Sequence, residues 1–302
     1  MKNTTIIFLG GVIATLAGLT QMATLFAQSK RVEGSDLQER DEIRRTIQLA
    51  PGARVEVSNI RGPVEVETAD INAAEVHVVR SAQSRGDLGQ YPVAIENGSQ
   101  GLTISGVQTQ RDTNSGYDPE VRHHVMLRLP RRVSLTIRSI GGNVKVGDIT
   151  GQLVVNVVGG SLNVGAVDGQ VQISSVGGQV SLGRASRPVE IKTVTGALTI
   201  GGASDSLDIT GVGGPVSIGV SKLGQGGVQI QTVTGQVELR FKDELNAQLS
   251  TDTVVGELSI DLPNVTIQSR PGPSSVRAQI GRGGPPIKIN SVSKNVRLVK
   301  GT

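Results

Sequence analysis

Residues 140–220 read IGGNVKVGD-ITGQLVVNV-VGGSLNVGA-VDGQVQISS-VGGQVSLGR-ASRPVEIKT-VTGALTIGG-ASDSLDITG-VGGPVSIGV, and they divide without a gap into units of nine. Position one is Ile or Val except at Ala185 and Ala203, position five is always Val or Leu, and position seven is Val, Ile or Leu. Position six, between two apolar residues, is polar in every unit but the one that carries Val154. Alternation of this kind is the signature of a strand, with Val144 and Val146 facing a core and Lys145 facing water. Position three is Gly142, Gly151, Gly160, Gly169, Gly178, Gly196 and Gly214, broken only by Arg187 and Asp205. Glycine there is expected to supply a turn with positive φ.

A second period is superposed on the first. Position eight is Gly147, Gly165, Gly183, Gly201 and Gly219 in alternate units, with Asn156, Ser174, Lys192 and Thr210 between them. Two nines therefore make one turn of eighteen, which predicts an all-β, single-chain parallel β-solenoid of β-helix type, with nine-residue half-coils and eighteen-residue coils. Each coil stacks on the last at about 4.8 Å, and inward positions form aliphatic columns along the stack. A single unit buries too little to offset the ordering of its own chain, so neighbouring coils must share packing and backbone hydrogen bonds.

Degenerate copies flank the regular stretch. ARVEVSNIRGPVEVETAD at 53–70 places Ile60, Gly62, Val64 and Val66 as in the nonapeptide, and TVTGQVELRF, TVVGELSIDL and SVSKNVRLVK do the same near the other end. The solenoid is thus expected over 43–302. PVAIENGSQGLTI reads as a hairpin turning at Asn97-Gly98, and 108–120 as a polar loop. The prolines at 271, 273, 285 and 286 read as devices that blunt the last coil against association.

The start of the chain points to a compartment. Lys2 precedes an apolar stretch from Ile6 to Ala27, the order of charge and apolar residues that directs export. Residues 1–27 are therefore expected to be a signal peptide cut after Ala27, or an uncleaved membrane anchor, since about 20 apolar residues suffice to span a bilayer. The charged stretch 28–42 reads as a linker. The destination is the periplasm, the outer surface or the medium, with membrane contact only through 1–27 if that segment is retained.

Composition excludes several classes. The absence of cysteine removes lipidated-cysteine anchors, disulfides, thiolate metal sites and cysteine nucleophiles together. Forty glycines with three Phe, two Tyr and no Trp leave Val, Ile and Leu to fill a thin, repetitive core. Beyond residue 27 the charge is 29 basic against 26 acidic, a net of +3. A balance that mild, without aromatics beside basic patches, argues against nucleic acid as a partner.

APGARVEVSNIRGPVEVE, then MLRLPRRVSLTIRSIGGNVKVGDITGQLVV, the glycine-punctuated repeat and a closing TVVGELSIDLP resemble the bacterial family of candidate adhesins with β-strand repeats, a domain of unknown function. The resemblance spans about 43–302. It implies an adhesin-like β-solenoid and an envelope-associated binding or scaffold role, and it supplies no catalytic motif.

Other nine-residue repeats fit poorly. Calcium-binding β-rolls need Asp where this chain has Lys145, Val154, Asn163, Gln172, Ser181, Glu190, Thr199, Asp208 and Ser217, a set that cannot form the cage. Ice-binding arrays need a threonine ladder, and only Thr199 stands on that line. A polysaccharide-active β-helix enzyme would need paired carboxylates in a groove. The available acids are Asp148, Asp168, Glu190, Asp205 and Asp208, with Asp205 at a turn-glycine position and Asp208 at an ordinary outward one. His123 and His124 lie near Asp118 and Glu120, but adjacent strand residues face opposite ways and cannot share one ion without distortion. His77 stands alone.

No catalytic, cofactor-binding or metal residues are therefore expected. Alternation in HHVMLRLPRRVSLTIR suggests instead that Arg122, Arg128, Arg131, Arg132 and Arg138 include several on one face, which would contact anionic glycan or lipid head groups. The functional expectation is a non-enzymatic envelope or surface protein that binds an envelope polymer or glycan. The alternative is a structural or sensing component with a membrane protein partner.

Overall fold

A computed structural model describes residues 37, 39–99, 101–108, 120–242, 244–272 and 275–301. The expected export segment 1–27, residues 28–36 and 38 of the expected linker, residues 109–119 of the expected polar loop and Pro273 lie outside the described residues. Leu37–Thr302 forms one compact unit.

Two sheets carry the fold, with 12 and 13 strands among the described residues. In the middle of the chain successive strands alternate between the sheets and pair in parallel with the coil eighteen residues on. Leu162 lies beside Val180, and Leu153 beside Val171. Positions five and seven of every unit are buried, from Val144 and Val146 to Val216 and Ile218. The solenoid and its eighteen-residue coil are thus present as the alternation requires.

The corners hold a third aliphatic column. In the first sheet Val167, Ala185, Ala203, Val220 and Phe241 follow one another down the stack, so the two alanines at position one are small core residues and not interruptions. In the second sheet two coils differ from the rest. Alternation there runs straight through the corner, as Leu135-Ile137-Ser139 and Leu153-Val155-Val157, which turns Ile140 and Val158 out to 52% and 65% exposure. The register slips by one at Val155/Asn156, and from Val176 onward position one faces inward. Ser139 is the polar member of that column. Its hydroxyl lies 3.1, 3.1 and 2.9 Å from the carbonyls of Ile60, Gly62 and Gly141, which satisfies a buried donor among otherwise apolar neighbours.

The glycines serve a different purpose from the one expected. Positive φ occurs at position three only in Gly142, Gly151 and Gly160. At Gly169, Gly178, Gly196 and Gly214 an added Cβ would instead come within 2.0–2.8 Å of the coil beneath. Two of the position-eight glycines obey the same rule: a Cβ would stand 2.5 Å from the Gly183 carbonyl oxygen at Gly201 and 2.3 Å from the Gly201 carbonyl oxygen at Gly219. Close approach of stacked backbones, more than turn geometry, selects glycine at these positions.

Both ends depart from simple stacking. The coil made by Arg54–Arg61 and Val64–Ala69 is first in the sequence but internal in the stack. It lies between Ser134–Gly141 and Val144–Val146 on one side and Gly101–Gly106 and Arg122–Pro130 on the other. The last coil, Pro286–Val292 and Val296–Lys300, is likewise inserted, with Val228–Val233 and Val237–Phe241 on one side and Ala247–Val254 and Leu258–Asp261 on the other. Antiparallel strands then close three of the four sheet edges: Glu39–Gln48 on Ala73–Ala82, Val93–Gly98 on Gly101–Gly106, and Val265–Gly272 on Ser275–Ile280. Burying a terminal coil between two others covers its aliphatic columns from both sides, and the edges fall to the charged Glu39–Gln48, the short Val93–Gly98 and Leu258–Asp261, and Val265–Gly272, which carries Pro271.

Three local expectations are corrected by this arrangement. Residues 39–42, expected in the linker, begin the strand Glu39–Gln48, because Asp41 pairs with Arg80 and Glu42 with His77 across to the next strand. The hairpin turns two residues later than expected, since Asn97 pairs with Leu102 and Gly98 with Gly101. Pro285 and Pro286 do not blunt an end. Pro286 opens an internal strand, where the first position tolerates a residue without an N–H, and the Pro285 carbonyl accepts from Gln248 N at 3.1 Å. A six-residue helix, Arg85–Gln90, was not anticipated by the periodicity; Ser84 caps it by accepting from Asp87 N.

Candidate functional site

The outward face of the second sheet carries a half-open groove of about 460 Å³ near the N-terminal end. Its walls come from three strands that are adjacent only in the stack. Arg54 and Glu56 belong to one, Thr136 and Arg138 to the next, and Val154 to the third, with Gln152 just before it. Val154, half-buried, is the one apolar residue at position six of the repeat, where every other unit is polar. Val154 lies in register with the equally short Thr136 on one side and the longer Gln172 on the other, so two short β-branched side chains sit together on the sheet surface there. Arg138 donates to Glu56 across the strands, whereas Arg54 is exposed and makes no ion pair among the described residues.

The five arginines singled out from the sequence are distributed over both sheets. Arg122 and Arg128 face outward from the first sheet, Arg138 from the second, and Arg131 and Arg132 sit in the turn between. Four are matched to carboxylates: Arg122 to Glu120 at 2.6 Å, Arg128 to Glu75 at 3.2 Å, Arg131 to Asp70 at 3.2 Å, and Arg138 to Glu56. Arg132 is exposed and makes no ion pair among the described residues. Of the five, Arg138 alone reaches the groove. Arg54 and Glu56 join it through the insertion of their strand, for which the nonapeptide period carries no signal; the lone apolar residue at 154 is the mark that does point there.

The acids are engaged locally. Asp148 Oδ1 accepts from Ala166 N at 2.7 Å, Asp168 accepts from the Ser186 hydroxyl, and Asp205 Oδ1 accepts from Ser206 N at 2.7 Å. Glu190 and Asp208 are register neighbours on the open face, but Lys192 lies 3.2 Å from Glu190 and the adjoining depression is about 70 Å³. Nothing there excludes water or holds a nucleophile beside a base.

The histidines are separated as strand geometry demands. His124 faces out toward Glu65 at 3.0 Å, and His77 toward Glu42 at 3.1 Å. Hydrogen bonds from Arg44 and then His77 hold the Glu42 carboxyl below its usual range. His123 faces in and is buried, with Nδ1 accepting weakly from Arg61 N at 3.4 Å. Burial pushes its pKa down to about 4, and the Tyr91 backbone offsets only part of that. Beside it Arg80 donates to Asp41 and to the carbonyls of Leu88 at 2.9 Å and Tyr91 at 3.2 Å, and Arg61 lies 4.4 Å over the Tyr91 ring. Among the described residues no three His, Asp or Glu side chains gather as metal ligands, and no helix is long and apolar enough to cross a membrane.

The model of one family, Toastrack DUF4097, matches residues 54–298, which takes in the groove, the repeat and the inserted last coil. The chain belongs to the Toastrack DUF4097 family. Among curated proteins none matches it. Of the solved structures, a candidate adhesin from Bacteroides fragilis is similar at 7% identity and a TM-score of 0.40, covering 86% of this chain and 97% of its own. A candidate adhesin from Parabacteroides distasonis shows 13% identity and a TM-score of 0.38 with the same coverage. A candidate lipid-binding protein from the same species shows 11% identity and a TM-score of 0.29, again covering 86% and 97%.

Proposed function

We propose that this Toastrack DUF4097 protein is an exported, non-enzymatic binding module that contacts an envelope polymer or glycan through the outward face of its second sheet. The observation that carries the reading is the groove beside Val154. A long, polar sheet surface bears a concavity with hydrogen-bonding walls, while Glu56 and Glu190 on the same face are paired with Arg138 and Lys192, and among the described residues no base and nucleophile are in contact there. The amino-terminal charge and apolar stretch support export.

Co-sedimentation of a chain starting at Gln28 with isolated envelopes and insoluble polysaccharides tests this. Saturable binding at low ionic strength is the expected result, and the absence of saturable binding there would overturn it. A second reading, association with a protein partner at the membrane, is favoured by the open strand Leu258–Asp261, whose Leu258 and Ile260 remain half-exposed next to the exposed Val255. That reading expects the mature protein to begin at Met1, with the apolar segment retained. A mature chain that begins at Gln28 would count against it.

A further inference from the structure

The groove has a composition that selects among polymers. Among the described residues no aromatic ring lines it, so a neutral sugar finds no stacking platform on them, and binding energy must come from charge and hydrogen bonds. Two guanidinium groups, Arg54 and Arg138, stand against one carboxylate, Glu56, which leaves one net positive charge in the groove. That charge resides on Arg54, because Arg138 is already bonded to Glu56. A guanidinium fork can hold a carboxylate or a phosphate with two parallel hydrogen bonds, but the second negative charge of a phosphate dianion would have no cation to compensate it beside Glu56, since Arg138 is already paired. The Thr136 hydroxyl and the Gln152 amide line the same concavity, and Val154 supplies an aliphatic floor for the C–H face of a sugar ring.

We propose that this groove binds a carboxylate-bearing saccharide, a uronate-type residue of an acidic polysaccharide, with its carboxylate on Arg54, its ring on Val154 and its hydroxyls on Thr136 and Gln152. The inference rests on the binding-module reading and names the ligand class of the same site. Its charge contribution also makes the groove depend on two features that a neutral structural face would lack: a cation without an ion-pair partner among the described residues, and a neighbouring acid that sets the valence of the anion.

The test is calorimetric titration of the chain starting at Gln28, which retains the whole compact unit, with a short oligogalacturonate, its carboxyl-reduced neutral counterpart and inorganic phosphate. Oligogalacturonate should bind saturably and the other two should not. Arg54→Ala should weaken the uronate at least about tenfold, which corresponds to 1.4 kcal/mol, without changing thermal unfolding. Glu56→Gln should tighten the uronate and admit phosphate, because it frees Arg138 and removes the opposing charge. A gain of that kind is not produced by loss of a structural contact. Equal binding of the neutral oligosaccharide, equal binding of phosphate by the unmodified protein, or no response to Arg54→Ala would each overturn the inference. Envelope co-sedimentation that persists in Arg54→Ala while oligogalacturonate fails to bind would leave the binding-module reading standing and remove the groove as its site.

Discussion

The middle of the stack and its N-terminal end are held together by different physics. Between Val144 and Val220 the core is a set of aliphatic columns with no ionisable member, and each coil repeats the contacts of the one before. At the N-terminal end the buried or half-buried groups include His123, Arg80, Asp87 and Ser139, and a small separate cluster of Ala82, Leu88, Tyr91 and Val121 packs outside the main core. A repeat can be closed only by something that is not the repeat. The end residues must satisfy polar backbone and side-chain groups that have no next coil to pair with, so they do it with a salt bridge, a helix cap and a neutral histidine.

The largest effect that would test the contrast is in the middle. Val164, 1% exposed, has the coils of Val146 and Leu182 on either side. Val164→Asp should cost more than about 4 kcal/mol by placing an unpaired charge in the column, and chemical denaturation should show the whole compact unit losing stability. Unchanged unfolding would break the assigned register.

A smaller effect separates the two regions by pH. His123 takes up a proton near 6.5 when the chain is unfolded but only near 4 when folded. Its stabilising contribution is therefore complete above about 6.5 and is lost as the pH falls toward 4, at a cost of up to about 3 kcal/mol. Hydrogen exchange should show protection falling over that interval first around 61, 80 and 123, while the strands between 144 and 220 hold. Equal loss in both regions would mean that they are not energetically distinct.

Next in size, Gly169→Ala should destabilise by about 1–3 kcal/mol, because its Cβ would lie 2.0 Å from the Gly151 carbonyl oxygen. The reduced melting temperature should accompany an unchanged β-sheet spectrum. At the lower limit, Gln172→Ala on the outward face should change stability by less than about 0.5 kcal/mol, since its side-chain hydrogen bond to Glu190 is 3.4 Å long. A large loss there would show that the outward ladder contributes to folding.

The repeat was legible because period two and period nine act on every unit alike. Val144, Leu153, Leu162 and their successors at position five are buried for the same reason, and eighteen residues separate Leu153 from Val171 and Leu162 from Val180. Signals that occur once were harder to read. Glu56 meets Arg138 across a separation of 82 residues, and the five arginines drawn from one segment were divided by a turn that places them on two sheets. The odd Val154 was visible in the repeat, but its meaning as a groove floor depended on which side chains flank it.

From the amino-acid order alone came the all-β class, the nine-residue half-coil, the identity of most core residues and the resemblance to a β-repeat family, because local alternation of apolar and polar residues determines which face of a strand leaves water. Only the tertiary structure decided the order of coils at the two ends, the role of most of the glycines and the make-up of the groove. Those depend on which backbones lie about 5 Å apart in the stack, a distance set by hydrogen bonding between strands and not by separation along the chain.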